Sequence, residues 1–355
     1  MHIIPSNFSG VSYAVRSRIF LSFLGTLLFD VMACVCVYGQ AKDVPRHDFV
    51  GETLTVDVDV VDVFFNVKEK NKFVENLQKE DFELKENNHP QEIRYFSAET
   101  QTPLSLGVLI DTSDSEAAVL QKEHEVARRF FDQVLIAGDE GMVISFDSFV
   151  DVKQEFTGDH GVLVEAVGHA RKEFSRASHE IDPGGVPRLR STALFDSIVG
   201  SARYRFAQRS GRKAMIIITD GQDMGSRATA RQAIEAALKS NTICYVLIVG
   251  DSRYMTASSY DGVERMKTLA SETGGRVIPM DRKLKNLESS LLAIASELRH
   301  HYSIGYTPSD RAHDGDYRKI SLKCRRGFKV QSRRGYYATH EPLDAEARNQ
   351  VSASN

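Results

Sequence analysis

Apolar runs that alternate with helix patterns between residues 104 and 300 restrict the possible folds of this chain most strongly. The first run, residues 104–110, has the pattern of a strand covered on both faces. Further strands are predicted at 141–146, 150–156 (an edge strand), 214–219, 243–249 and 276–279, and helices at 120–135, 163–174, 192–206, 228–239, 259–273 and 284–300. We therefore expect residues 103–300 to form an α/β domain with a doubly wound, mostly parallel sheet.

The segments on either side of this domain have the patterns of antiparallel β structure. Strands are predicted at 53–67 (with a bulge at Val60 and Val61), 82–86 and 92–96, and again at 302–306, 317–324 and 328–332. Each block is too small to fold well alone. We expect residues 42–102 and 301–340 to pair into one small β-sandwich domain, and residues 341–355 to be a disordered tail.

The first residues have the composition of a secretory signal. Arg16 and Arg18 precede an apolar stretch at 19–36, and small residues follow at Gly39 and Ala41. We interpret residues 1–41 as a cleaved signal peptide, which makes the mature protein secreted or part of the periplasm or cell envelope. The alternatives are a retained membrane anchor and lipidation at Cys34, so contact with a membrane is expected only through the N-terminus. The net charge of -3 gives no overall attraction to nucleic acid.

Residues with side-chain oxygens follow two of the predicted buried strands and precede one predicted helix. Asp111, Ser113 and Ser115 come directly after the first run, Asp220 follows the strand at 214–219, and Thr192 opens a helix. In an open α/β sheet, ligands bind outside the carboxyl ends of the strands. A site made only of oxygens suits a hard divalent cation, Mg²⁺ first and Mn²⁺ or Ca²⁺ as alternatives.

These residues and their spacing resemble the metal-ion-dependent adhesion site of von Willebrand factor type A domains. All five positions are matched, and flanking segments at 79–82, 103–107, 220–223, 302–306 and 334–337 are similar to the acidobacterial von Willebrand factor A-related domain family. The resemblance covers roughly residues 53–338 and implies a doubly wound α/β fold. Asp114 and Glu116, on either side of Ser115, depart from the pattern of many members.

The resemblance also implies what each residue does. Ser113, Ser115 and Thr192 would contact the metal, and Asp111 and Asp220 would act directly or through water. Because hydroxyls are neutral, the metal would keep enough positive charge to attract an Asp or Glu side chain of a partner protein. The resemblance thus favours an exported, non-enzymatic binding or adhesion protein. Asp114, Glu116 and Asp223 are predicted to lie near this site. We favour positions in a solvent-exposed loop for these three residues over positions around the direct ligands of the metal.

Three other interpretations remain open at this point. Asp111 and Ser113 are also typical caps of a helix that follows a strand. A metal-dependent hydrolase that transfers phosphoryl groups could use the same carboxylates, although no glycine-rich phosphate loop and no Gly-x-Ser-x-Gly turn is present in the sequence. A structural envelope protein could carry the site without using it.

The signal peptide gives a first testable prediction. We expect N-terminal sequencing of the exported protein to begin near Lys42, because the small residues before it satisfy a signal peptidase. Material that begins at Met1 would contradict cleavage, and material that begins at Cys34 would favour lipidation.

Overall fold

The computed structural model describes residues 60–70, 72–99, 102–113, 123–177, 192–250, 257–281 and 284–339. The described residues all belong to one compact unit. The predicted signal peptide, the segment 42–59 and the predicted disordered tail lie outside them. No helix in the described ranges is long and apolar enough to cross a bilayer.

The secondary structure has antiparallel strands at both ends and alternating strands and helices between them. The strands are β1 (Val61–Glu69), β2 (Lys72–Phe73), β3 (Phe82–Glu86), β4 (His89–Gln91), β5 (Tyr95–Glu99), β6 (Leu104–Asp111), β7 (Glu140–Phe146), β8 (Val150–Thr157), β9 (Arg212–Thr219), β10 (Thr242–Val249), β11 (Val277–Met280), β12 (His301–Tyr306), β13 (Tyr317–Cys324), β14 (Lys329–Ser332) and β15 (Gly335–Tyr337). The helices are α1 (Glu123–Val134), α2 (His160–Ala177), α3 (Leu194–Tyr204), α4 (Ala230–Lys239), α5 (Ala257–Thr273) and α6 (Leu287–Arg299).

The central sheet has the strand order β11-β10-β9-β6-β7-β8. All neighbours are parallel except β7 and β8, which form an antiparallel pair at one edge. The chain runs from β6 toward β8, and then returns to the other side of β6 for β9. The strand order therefore reverses between β6 and β9, which is where open α/β sheets place their ligands.

Apolar side chains cover both faces of this sheet. One core cluster packs α1, α2 and α6 on one face, and a second packs α3, α4 and α5 on the other. Every residue of β6 is buried: Leu104, Leu106, Val108 and Ile110 enter the first cluster, and Leu109 enters the second. The continuous apolar pattern of residues 104–110 is thus explained by burial on both faces.

The two ends of the chain pair with each other. In one sheet β1 and β5 from the N-terminal segment flank β12, and in the other sheet β3 pairs with β13. Both sheets are antiparallel and share one core cluster, in which Phe65, Phe82 and Tyr302 pack their rings together. The α/β part lies in the chain between β5 and β12.

Some elements differ from those predicted. A strand was predicted at 92–96, but β5 begins at Tyr95 because it pairs with β12 in the register Tyr95↔Gly305. Asn87 and Asn88 both have positive φ and make a tight turn, so that β4 begins at His89. Strand β15 was not predicted; it is short and is stabilised by pairing with β13.

A buried carboxylate ties the α/β part to the β strands. Glu297 of α6 is 1% exposed, and its Oε1 lies 2.7 Å from Lys68 Nζ of β1 and 2.8 Å from Arg276 Nε. Both cations remain partly in contact with solvent, whereas the carboxylate does not. Removing the two cations would leave this buried carboxylate without a compensating charge, which usually costs several kcal/mol.

We therefore expect Lys68→Met combined with Arg276→Met to lower the free energy of unfolding by about 3 kcal/mol, measured by urea denaturation, because Glu297 stays buried without a cation. Arg129→Met is the matched control: it also removes a cation from a carboxylate of α6, but its ion pair with Glu288 is exposed, so its loss should cost about 0.5 kcal/mol. Equal effects of the two variants would contradict the role given to Glu297.

Candidate functional site

The carboxyl ends of β6 and β9 bring two of the predicted site residues to one edge of the sheet. The register Ile110↔Ile218 places Asp111 beside Thr219, and Asp220 follows directly. Thr219 Oγ1 donates a hydrogen bond of 2.7 Å to Asp111 Oδ2. Asp111 and Asp220 therefore lie close together at the point where the strand order reverses.

Asp111 is an acidic side chain held almost out of water. It is 1% exposed, and its Oδ1 accepts the Ser113 backbone N–H at 3.0 Å. Burial raises the pKa of the Asp111 carboxyl from 3.8 to about 6. Hydrogen bonds from Ser113 and Thr219 oppose this rise in pKa, and the nearby charge of Asp220 adds to it. A bound cation would favour the ionised form of this carboxyl.

The structure describes only one of the two serines of the motif. Ser113 is half-buried, and its side chain hydrogen-bonds to the Asp111 carboxylate. Ser115 lies outside the described residues, as do Asp114 and Glu116. Helix α1 is described from Glu123 onward, so the capping interpretation of Asp111 and Ser113 is left open.

Thr192 is tied to the loop that contains Asp220. It is 8% exposed, and its carbonyl oxygen accepts the backbone N–H groups of Met224 at 3.2 Å and Gly225 at 3.0 Å. The prediction that Thr192 opens a helix is off by two residues, because α3 begins at Leu194 with Ala193 before it. The Ala193 N–H donates to the Asp147 carbonyl at 2.6 Å, so this segment also contacts the end of β7.

The loop that carries Asp220 is closely packed. Asp220 Oδ1 accepts the Gln222 backbone N–H at 2.8 Å, and its Oδ2 accepts Gln222 Nε2 at 2.9 Å. Gly221 has φ +84°, and Gly262 of α5 packs directly against it. A Cβ on Gly262 would lie 2.1 Å from the Gly221 carbonyl oxygen, so only glycine allows this approach.

Two residues of the site were not assigned their roles from the sequence. Thr219 is the hydrogen-bond donor that orients Asp111, and its partner becomes visible only with the strand register. Asp223, expected in a solvated loop, is half-buried and accepts the Phe195 N–H at the start of α3 at 3.2 Å and the Ser226 hydroxyl at 2.5 Å. Helices commonly satisfy their first N–H groups in this way.

The donor atoms at this edge are hydroxyl and carboxylate oxygens. Within the described ranges, no cluster of three or more His, Cys, Asp and Glu side chains could hold a metal ion. The chemistry of the mixed set, with the buried Asp111 carboxylate at its centre, fits a hard cation better than a soft one. A cavity of about 400 Å³ lies elsewhere, near Asn241 and Arg333, and includes none of the predicted ligands.

The raised pKa of Asp111 predicts how stability depends on pH without metal. The folded state holds the proton of the Asp111 carboxyl more tightly than the unfolded state. This difference stabilises the folded protein below pH 3.8, and the stabilisation is lost as the pH rises through about 6. The rise in pKa corresponds to roughly 3 kcal/mol at most. In chelator, the unfolding free energy of Asp111→Asn should therefore increase relative to that of the natural protein between pH 4 and pH 7.

Urea denaturation across this pH range measures the effect. Asp316→Asn, which changes an exposed carboxylate just before β13, is the control and should follow the natural protein closely. Parallel curves for Asp111→Asn and the natural protein would show that the Asp111 carboxyl is not held out of water.

No family model and no curated protein matches the chain. Matching solved structures include the conserved hypothetical protein BatB from Bacteroides thetaiotaomicron, with 19% identity and a TM-score of 0.40, covering 55% of this chain and 97% of that chain. The vWF domain of the type V pili tip protein Mfa5 from Porphyromonas gingivalis matches with 12% identity and a TM-score of 0.40, covering 55% and 94%.

A third match is proximal thread matrix protein 1 from the mussel byssus, in a structure with a zinc-occupied MIDAS motif. Its identity is 14% and its TM-score 0.41, and the match covers 60% of this chain and 49% of that chain, about half its length. The motif residues and the open α/β sheet of the central part of this chain resemble those of von Willebrand factor A domains.

Proposed function

We propose that this chain is an exported, non-enzymatic binding protein that engages an acidic group of a protein partner through a divalent cation. Asp111, Ser113, Ser115, Thr192 and Asp220 would hold the cation, with Mg²⁺ as the first choice and Mn²⁺ or Ca²⁺ as alternatives. Export rests on the N-terminal sequence and its expected signal peptide.

The observation that carries the proposal is the Asp111 carboxylate, buried at the edge where the strand order reverses. Burying a carboxylate is unfavourable unless hydrogen bonds or an opposite charge compensate for it. Asp111 accepts hydrogen bonds from Thr219 and Ser113, yet its pKa remains raised, so these bonds compensate for its burial only in part. A cation at this edge would supply the missing charge.

The neighbouring residues support an open site more than a closed one. Ser113 and Asp220 are half-buried and therefore keep some contact with solvent. Asp111 is oriented by Thr219, and Asp220 by Gln222, so both carboxylates are held before any ligand arrives. The cation would supply a positive centre for an acidic oxygen of the partner.

Metal binding is tested by titrating Mg²⁺ against the unfolding temperature of the natural protein and of Ser113→Ala combined with Ser115→Ala. We expect saturating Mg²⁺ to stabilise the natural protein by about 3 kcal/mol at one hundred times the dissociation constant. We expect no stabilisation of the double variant, whose fold should be intact.

Ser321→Ala combined with Ser332→Ala is the matched control, because it removes two hydroxyls from β13 and β14, which carry none of the predicted ligands. Unchanged cation affinity in the Ser113 and Ser115 double variant would refute the assignment. Absence of any Mg²⁺ effect in the natural protein would favour a structural envelope protein.

The partner is tested by a pull-down from an envelope fraction, run with Mg²⁺ and again with chelator. Retention of a partner only with Mg²⁺, and its loss in Asp111→Ala, are the expected results. Turnover of a generic phosphate ester that disappears in Asp111→Ala would instead favour the hydrolase.

A further inference from the structure

Large apolar side chains are unusually exposed around the candidate metal site. Met224 is 73% exposed, Phe149 71% and Tyr260 61%, and these are the three most exposed large hydrophobic side chains in the described ranges. All three follow strands at the carboxyl edge of the central sheet: Phe149 after β7, Met224 after β9, and Tyr260 after β10 at the start of α5. We call these three side chains the apolar rim.

Each side chain of the apolar rim is connected to a residue of the candidate site by a short path. Met224 has the most direct connection, because its backbone N–H donates to the Thr192 carbonyl at 3.2 Å. Met224 also lies in the loop that begins with Asp220. Its backbone is therefore held close to two of the predicted ligands, Thr192 and Asp220.

Phe149 is held by a turn that contacts the Thr192 segment. Its N–H donates to Asp147 Oδ1 at 3.0 Å, and the Asp147 N–H donates to the Phe149 carbonyl at 3.0 Å. The Asp147 carbonyl in turn accepts the Ala193 N–H, next to Thr192. The turn thus presents Phe149 to solvent from a backbone that is hydrogen-bonded on both sides.

Tyr260 is positioned by the packing of α5. It lies two residues before Gly262, which packs against the Gly221 carbonyl next to Asp220. Two loops and the first turns of α5 therefore each bring an exposed apolar side chain to the edge that carries Asp111, Thr192 and Asp220. Single exposed apolar residues are common on proteins, but their concentration around one site marks an interaction surface.

We propose that the apolar rim binds an extended protein segment in which an Asp or Glu is flanked by large apolar side chains. This inference rests on the proposed function, which supplies a cation for the acidic group. The combination of a positive centre and surrounding apolar side chains is complementary to that segment. Apolar contacts around a central polar contact also exclude water and strengthen it.

The inference predicts a preference that metal binding alone does not. In an array of peptides with a central Glu, probed with the protein in Mg²⁺, retained peptides should be enriched in Leu, Ile, Val or Phe at the flanking positions. Peptides with a central Gln, and all peptides in chelator, should not be retained. An array of acidic polysaccharides, with polygalacturonate as the reference, is probed in parallel and should not retain the protein.

The variant that tests the rim combines Phe149→Ser, Met224→Ser and Tyr260→Ser. Binding of the best peptide, measured by fluorescence anisotropy, should weaken about tenfold for each of the three apolar side chains that is truncated. The matched control combines Tyr95→Ser, Ile136→Ser and Tyr204→Ser, which are also exposed but lie away from this edge. The control should bind peptide as the natural protein does.

Mg²⁺ titration of every variant separates the inference from the proposed function. Normal Mg²⁺ binding by the rim variant with loss of peptide supports the inference. Glu-dependent peptide binding without any preference for apolar flanks, or binding that survives in the rim variant, overturns it while the proposed function stands. Retention of the polysaccharide in place of peptides also overturns it. Failure of the natural protein to bind Mg²⁺ overturns the proposed function itself.

Discussion

The hydrogen bond from Thr219 to Asp111 is the contact on which the organisation of the site depends. It joins the ends of two parallel strands on either side of the point where the strand order reverses. The apolar side chains of β6 and β9 belong to the two core clusters, and the polar side chains at the carboxyl ends of these strands, Asp111 and Thr219, lie where the core ends. The end of the hydrophobic core thus determines where the Asp111 carboxylate lies, and the hydroxyl of Thr219 determines its orientation.

The buried strands were predictable because their pattern is local. Residues 104–110 and 214–219 are apolar on both faces, and β6 and β9 lie within two residues of those limits. The start of β5 was not predictable, because pairing with β12 decides its register and nothing in residues 92–99 records that pairing. The short β15 was not predictable for the same reason, because its few residues form a strand only through pairing with β13.

Some residues of the candidate site were also predictable from the sequence, and others were not. The positions of Asp111 and Asp220 followed from the ends of apolar runs, and the structure brings these two residues together. The roles of Thr219 and Asp223 depend on contacts between segments distant in sequence, with Asp111 and with Phe195, which no local pattern specifies. The exposure of Phe149, Met224 and Tyr260 was likewise hidden, because apolar residues in a sequence are first assigned to the core.

The contact between Gly221 and Gly262 has a consequence for the thermodynamics of recognition. With backbone atoms this close, the Asp220 loop has no room to move toward α5. Conformational freedom that is already absent in the free protein is not lost when a ligand arrives, so less entropy opposes association. A site restricted in this way can bind a flexible partner while most of the ordering cost falls on that partner.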